Sequence, residues 1–179
     1  MITVRKPRRL TLVFCYSLFT IHSSLLLGGC GYRPVGTIPL AKSLAIIPFT
    51  NATFRPHLQG AIASAVLGVL RRDPRIALAQ QEVADLLLEG TIAAYANDGI
   101  GFDQKDIARR FRVRILLQAV LKERKSGAIL AKEELFGEAF YTAGGSVTAT
   151  QAAEEEAMAR AVLDLAERVH LLIITGLMP

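Results

Sequence analysis

The sequence has few cysteines and lacks the polar composition of a disordered chain. Cys15 and Cys30 are the only cysteines among 179 residues, which excludes a disulfide-stabilised scaffold. Hydrophobic residues make up 51% of the chain, which excludes intrinsic disorder. A length of 179 residues suits one domain with an added segment.

There is also little excess charge once the first 29 residues are set aside. The whole chain carries a formal net charge of +5 and has a pI near 9.5, values that would favour a nucleic-acid partner. Four of its 21 basic residues lie at positions 5–9, and residues 1–29 contain no acid. The remainder therefore has 17 basic and 16 acidic side chains. Its charge does not predict nucleic-acid binding.

Residue patterns that indicate metal binding or catalysis are absent from the sequence as well. Beyond residue 29 the only histidines are His57 and His170, which are far apart, and Cys30 is the only cysteine. A metal site would therefore need carboxylates alone. Gly99-Ile100-Gly101 lacks the rest of a phosphate-binding fingerprint, and no G-x-S-x-G motif occurs. We expect no metal ion, no cofactor and no catalytic residue.

The N-terminal residues have the three-part pattern of a secretory signal peptide. Residues 5–9 are basic, residues 10–27 form an apolar run, and the small residues Gly28 and Gly29 follow. The alternative is a transmembrane anchor, which needs about 20 apolar residues. The run has 18 residues, with polar ones at 20 and 22–24, so it is marginal for spanning a membrane.

The end of the apolar run favours a lipoprotein signal. Leu27-Gly28-Gly29-Cys30 resembles the bacterial lipoprotein box, in which the cysteine thiol is alkylated with diacylglycerol and becomes the mature N-terminus after cleavage. We expect cleavage between Gly29 and Cys30, with diacylglycerol and an N-acyl lipid such as palmitate on Cys30. Several acyl chains make membrane anchoring stable. Because Gly31 and not Asp follows, the sequence resembles lipoproteins sorted to the periplasmic side of the outer membrane.

After the signal peptide at 1–29, the sequence predicts a lipidated tether at 30–42 and a single α+β domain at 43–179. Helical and period-two patterns predict two helices packed on one face of a mostly antiparallel or mixed four-stranded sheet. Predicted strands lie at 43–49, 84–96, 110–121 and 128–141, with a short one at 75–79. A helix starts at Pro56 and stops at Asp73-Pro74. Loops are predicted at 97–101 and 126–127, and a Thr148/Gln151 capping box precedes the last helix.

Alternation along the predicted strand at 84–96 assigns its side chains to two faces. Period two places Leu86, Leu88, Ile92 and Ala94 on one face and Glu89, Thr91 and Tyr95 on the other.

Five cations lie in and just before the predicted strand at 110–121. They are Lys105, Arg109, Arg110, Arg112 and Arg114, and the last three share one strand face because their spacing is two. Like charges in such a row repel one another unless solvent or an anion screens them. Two interpretations stay open: a solvated sheet face, or recognition of a phosphorylated ligand or an acidic partner, for which the arginine fork is suited.

Three motifs resemble the LptE family of lipopolysaccharide-assembly lipoproteins. Residues 30–36 (CGYRPVG) look like the start of the mature chain in that family. Residues 48–56 (PFTNATFRP) are similar to its P-F-x-N-x-T-x-x-P element, and residues 84–92 (ADLLLEGTI) to its A-D-x-x-L-x-G-x-I strand. The motifs occur in the family's order behind a lipoprotein box, so the resemblance covers essentially the whole mature chain.

The resemblance implies a non-catalytic protein with two partners. Members of the family plug the lumen of an outer-membrane β-barrel, LptD, and the pair inserts lipopolysaccharide into the outer leaflet. Binding of lipopolysaccharide is associated with basic residues in the family, which makes the five cations candidate ligand-binding residues. The stretch 97–109 departs from the family's pattern, so these positions are not carried over one by one.

Two other classes of function remain as alternatives. One is another non-catalytic envelope lipoprotein, such as a secretion adaptor or an activator of a peptidoglycan synthase. The other is a periplasmic enzyme such as a cell-wall hydrolase, against which the missing nucleophile and base argue.

Overall fold

The computed structural model describes residues 42–177, which form two helices and a six-stranded sheet. The predicted signal peptide, its cleavage site at Gly29 and Cys30, and the tether up to residue 41 lie outside the described residues. The strands are β1 (Ser43–Ile46), β2 (Thr50–Asn51), β3 (Ala77–Leu78), β4 (Leu86–Phe102), β5 (Ala108–Glu123) and β6 (Ile129–Thr142). The helices are α1 (Leu58–Leu70) and α2 (Val147–Gly176).

The sheet is mixed, and its strands follow the order β3-β1-β4-β5-β6. The long strands β4, β5 and β6 are antiparallel neighbours, while β1 pairs in parallel with both β3 and β4. Strand β2 pairs with β4 at Thr91 and Ile92, farther along β4 than the pairing of β1. The predicted α+β fold is confirmed, but the sheet has six strands and not four. Of the two strands beyond these four, β3 lies within the short strand predicted at 75–79, whereas β2 was not predicted because two residues are too few to show an alternating pattern.

Both helices lie on one face of the sheet, and the core fills the space between. Strand β5 contributes Val113, Ile115, Leu117, Ala119 and Leu121, all fully or almost fully buried. Helix α1 adds its buried residues at positions 58, 62, 66 and 70, a spacing of four, and α2 adds nine buried apolar residues. Burial of a large aliphatic side chain is worth about 1.5–3 kcal/mol, so this layer is the main source of stability.

A β-bulge in β4 changes the face on which Ala94 and Tyr95 lie. Ile92 pairs with Leu117 and Ala94 with Leu116, so Ala93 is an extra residue in the ladder. Tyr95 therefore faces the helices, where its hydroxyl donates a hydrogen bond to Glu154 Oε1 at 3.1 Å. The prediction that Ala94 shares a face with Leu86, and Tyr95 with Glu89, is wrong because the inserted residue inverts the alternation.

Two further sequence predictions are corrected near the ends of elements. Residues 97–101, predicted as a loop, continue β4, where Asn97 and Asp98 pair with Val113 and Arg112 of β5. The N-cap of α2 is Ser146, whose Oγ accepts a hydrogen bond from the Ala149 N–H at 3.1 Å. The Thr148/Gln151 capping box is therefore wrong, because the helix already begins at Val147.

Asp73 links the turn after α1 to the C-terminal third of α2. Its carboxylate accepts hydrogen bonds from Arg75 Nε at 2.9 Å and Nη2 at 2.6 Å, and lies 2.7 Å from His170 Nε2. The hydrogen bonds from Arg75 hold the pKa of Asp73 well below its usual range, although burial acts in the opposite direction. The ionised carboxylate is thus part of the packing between the helices.

Replacing Asp73 by Asn is expected to lower the free energy of unfolding at pH 7 by about 2 kcal/mol, because Arg75 then donates to a neutral amide and no longer to a charged carboxylate. The folded-state pKa is depressed, so the wild-type advantage is complete above the ordinary value of 3.8 and declines as the pH falls toward the folded pKa. Urea unfolding of both proteins from pH 7 to pH 2 measures this. If the difference in free energy of unfolding between the two proteins stayed constant over that pH range, the role of the carboxylate charge would be contradicted.

Candidate functional site

The five predicted cations all lie on the β4–β5 hairpin, close to its turn. Asp103 organises that turn: its Oδ1 accepts hydrogen bonds from the Lys105 N–H at 2.8 Å and the Ile107 N–H at 3.1 Å. Its Oδ2 accepts from Arg109 Nε at 2.9 Å. These hydrogen bonds lower the pKa of Asp103, and the bond from the Lys105 N–H has the largest effect. Arg109 is therefore ion-paired within the turn.

Arg110, Arg112 and Arg114 lie on the sheet face opposite the helices, as their spacing predicts. Arg112 Nη2 lies 3.5 Å from Asp98 Oδ2 on the paired strand. The Arg114 guanidinium lies 4.2 Å from the centre of the Phe136 ring on β6, a cation–π contact. Within residues 42–177 the Nε atoms of Arg112 and Arg114 are buried and have no hydrogen-bond partner.

The cations are thus interleaved with carboxylates and an aromatic ring, which relieves the repulsion expected from the sequence. Among the residues that the structure describes, Lys105, Arg110 and Arg114 have no carboxylate within 4.0 Å, whereas Arg109 and Arg112 each have one. Lys105 and Arg110 are also exposed and thus accessible to an anion, whereas Arg114 is half-buried against Phe136.

Sequence reasoning missed the apolar side chains at the end of the same hairpin. Ile100, Phe102 and Ile107 are exposed, and with the cations they surround the turn; we call residues 100–107 the hairpin tip. A signal for them existed in the three large apolar residues that this stretch of eight contains. It was hidden by the glycines at 99 and 101, which are typical of loops.

The motif at 48–56 includes β2 and most of the loop that leads from it to α1. Asn51 Oδ1 accepts hydrogen bonds from the Thr53 N–H at 3.0 Å and from Thr53 Oγ1 at 2.8 Å, while its Nδ2 donates to the Arg55 carbonyl at 2.8 Å. Arg55 lies 5.3 Å from the centre of the Tyr95 ring and 3.5 Å from Glu154 Oε1. Burial, with Glu154 beside it, raises the pKa of Tyr95 to about 12. The motif therefore connects the loop, β4 and α2, and its role is structural.

The described chain begins at the end of the sheet opposite the hairpin tip. Lys42 Nζ pairs with Glu123 Oε1 at 3.0 Å, and the Ser43 N–H donates to Asp85 Oδ2 at 2.9 Å. We call this the tether end. Strand β4 runs from the tether end to the tip over 17 residues, which at about 3.3 Å per residue is about 50 Å. Within residues 42–177 neither helix is long and apolar enough to cross a membrane.

Several solved structures share this fold at low sequence identity. Rare lipoprotein B from Shewanella oneidensis is 9% identical, with a TM-score of 0.55, and the match covers 74% of this chain and 94% of that one. An uncharacterized lipoprotein B from Nitrosomonas europaea is 16% identical, with a TM-score of 0.55 and coverage of 76% and 85%. Protein XCC0632 from Xanthomonas campestris is 14% identical, with a TM-score of 0.55 and coverage of 75% and 86%.

The sequence itself matches a family model. No curated protein matches the chain. The model named LptE, with the description Lipopolysaccharide-assembly, matches residues 41–173, which include both helices almost entirely and every strand. The chain therefore belongs to the LptE lipopolysaccharide-assembly family.

Proposed function

We propose that the protein is an outer-membrane lipoprotein that works with an LptD-type β-barrel to insert lipopolysaccharide into the outer leaflet. Signal peptidase removes residues 1–29, and Cys30 carries diacylglycerol and an N-acyl lipid that hold the protein on the periplasmic side. The protein plugs the barrel, assists its assembly and catalyses no reaction. The family match over residues 41–173 is the observation that carries this proposal.

The geometry of the hairpin supports contact with a phosphorylated ligand. Lys105, Arg110 and Arg114 have no carboxylate partner in the described part of the chain, and guanidinium groups bind phosphate oxygens in pairs. The buried Nε atoms of Arg112 and Arg114 also lack partners there. Arg109 and Arg112 would join such a site by exchanging Asp103 and Asp98 for the ligand's phosphates.

Affinity purification of the lipidated protein with a C-terminal tag tests the partner. We expect a large outer-membrane β-barrel to co-purify in about equal amount, because a plug and its barrel form a stable complex. Recovery of a peptidoglycan synthase in place of a barrel would contradict the proposal and favour the activator alternative. A tagged lipoprotein of unrelated fold from the same membrane is the control.

A triple variant, Lys105→Ala, Arg109→Ala and Arg110→Ala, tests the ligand site. We expect its affinity for lipopolysaccharide to fall at least about tenfold, since each charged hydrogen bond contributes about 1.5–3 kcal/mol. Equilibrium binding at two salt concentrations measures this, and the salt dependence should weaken together with the affinity.

The control removes the same number of exposed cations elsewhere, by Arg71→Ala, Arg72→Ala and Lys125→Ala. It should bind as the wild type does. An equal loss in the control would assign the effect to overall charge, and unchanged binding in the hairpin variant would reject these residues as the site. Unfolding curves of both variants should match the wild type, because the replaced side chains are exposed.

A further inference from the structure

We propose that one half of the free edge of β6 is a docking site for an extended segment of another protein, which adds a strand to the sheet there. The segment has apolar residues at alternate positions and carries at least one basic side chain. This inference goes beyond the proposed function, because it does not depend on which ligand the cationic hairpin binds.

Strand β6 is the last strand of the sheet, so only one of its two sides pairs with another strand. On the free side, every second residue points its backbone N–H and C=O groups outward. The Glu138 N–H and the Phe140 carbonyl both point this way, since each bonds to a side chain of α2. The ladder with β5 continues without a shift from residue 131 to residue 142, so Lys132, Glu134 and Phe136 point outward as well.

Helix α2 covers one half of this edge and leaves the other half open. Asp164 Oδ2 accepts a hydrogen bond from the Glu138 N–H at 3.0 Å, and Arg160 Nη2 donates to the Phe140 carbonyl at 2.9 Å. In the described part of the chain, no hydrogen bond reaches the outward backbone groups of residues 132–136, which we call the open edge. An unpaired strand edge of this kind can pair with a strand from another chain.

A groove of about 410 Å³ separates the open edge from the last turns of α2. Leu135 and Phe136 line it from the strand, and Leu171 and Thr175 line it from the helix. Leu171 is 60% exposed although it lies beside the sheet. A segment paired with the open edge would direct every second side chain into the groove, because successive side chains of a strand point to opposite faces. The groove therefore selects apolar residues at alternate positions.

The charges of the open edge favour a basic partner over a second copy of this chain. They are those of Lys132, Glu133 and Glu134, and within the described residues neither glutamate has a cation within 4.0 Å. Antiparallel pairing of two open edges about position 133 or 134 would set a glutamate against itself, which is destabilising. Pairing about Leu135 would extend to Glu138, whose outward N–H already donates to α2. A segment with a basic residue avoids both conflicts.

The test uses the mature protein and three short acetylated peptides. Valine alternates with lysine in the lysine peptide and with glutamate in the glutamate peptide. The third is the lysine peptide with methylated backbone nitrogens, which removes its hydrogen-bond donors and keeps its side chains. NMR titration measures affinity, and amide hydrogen exchange at positions 132, 134, 136 and 138 reports which outward N–H groups are bonded.

We expect the lysine peptide to slow exchange at positions 132, 134 and 136 and to leave position 138 unchanged, because α2 already holds the latter. It should bind at least about tenfold more tightly than either of the other peptides, since one of these lacks the charge complementarity and the other the main-chain hydrogen bonds.

Variants at position 134 separate the backbone from the charge. Glu134→Pro removes an outward N–H at an edge position that tolerates proline, and it should abolish binding of the lysine peptide. Glu134→Gln is the matched control, because it keeps the backbone donor, and it should retain measurable binding. Replacing Glu133 and Glu134 together by lysine should reverse the preference between the lysine and glutamate peptides.

Three results would overturn the inference. The first is the absence of saturable binding of the lysine peptide, and the second is equal binding of the methylated peptide. The third is a dimer of the wild-type protein that Glu134→Pro disrupts, which would replace the partner segment by a second copy. None of these results bears on lipopolysaccharide binding, so the inference and the proposed function fail separately.

Discussion

Replacing Gly137 by valine is expected to lower the free energy of unfolding by about 3 kcal/mol, because β6 and α2 approach each other at this glycine too closely for any side chain. A Cβ atom at position 137 would overlap the carbonyl oxygen of Ala161 and lie 2.6 Å from Leu165 Cβ. Both of these neighbours belong to α2, and one is backbone. The helix would have to move away from the sheet, and the packing of Leu165 in the core would be lost with it.

The matched control is Gly60→Ala in α1. No atom lies within 4 Å of a Cβ built on Gly60, and a glycine inside a helix costs about 0.5–1 kcal/mol relative to alanine. Gly60→Ala should therefore raise the free energy of unfolding by that amount. Urea unfolding followed by circular dichroism measures both variants. A Gly137→Val protein as stable as the wild type would show that α2 does not approach β6 this closely in solution.

The layers of the fold could be predicted from the sequence because burial repeats along each element. The alternation in residues 110–121 identifies the core face of β5, and every residue it predicts there from Val113 to Leu121 is buried. The spacing of Leu58, Ile62 and Val66 likewise identifies the buried side of α1. These patterns depend only on the period of the element, which the sequence contains directly.

The details of β4 could not be predicted, because they depend on pairing with another strand. The bulge at Ala93 is defined by the pairing of β4 with β5, and no residue type in this stretch predicts it. The same ladder places Asp98 beside Arg112 and makes a strand of residues predicted as a loop. The charge balance of the candidate site therefore depends on how β4 and β5 are aligned. That alignment cannot be inferred from the five cations in the sequence.

Replacing Cys30 by alanine is expected to remove the protein from the outer membrane. Alanine has no sulfur to form the thioether, and alkylation precedes cleavage, so the variant should retain residues 1–29 and carry no lipid. Intact mass measures both changes. A single acyl chain gives only marginal binding to a membrane, whereas several chains, at about 0.8 kcal/mol per buried CH₂, hold a protein stably. Because the Cys30→Ala protein lacks all of these chains, we expect none of it in the outer membrane.

Cys15→Ala is the control for this variant, because it replaces the other cysteine within the apolar run and leaves the lipoprotein box unchanged. It should be cleaved, lipidated and sorted as the wild type is. Correct processing of the Cys30→Ala protein would contradict lipidation at this position.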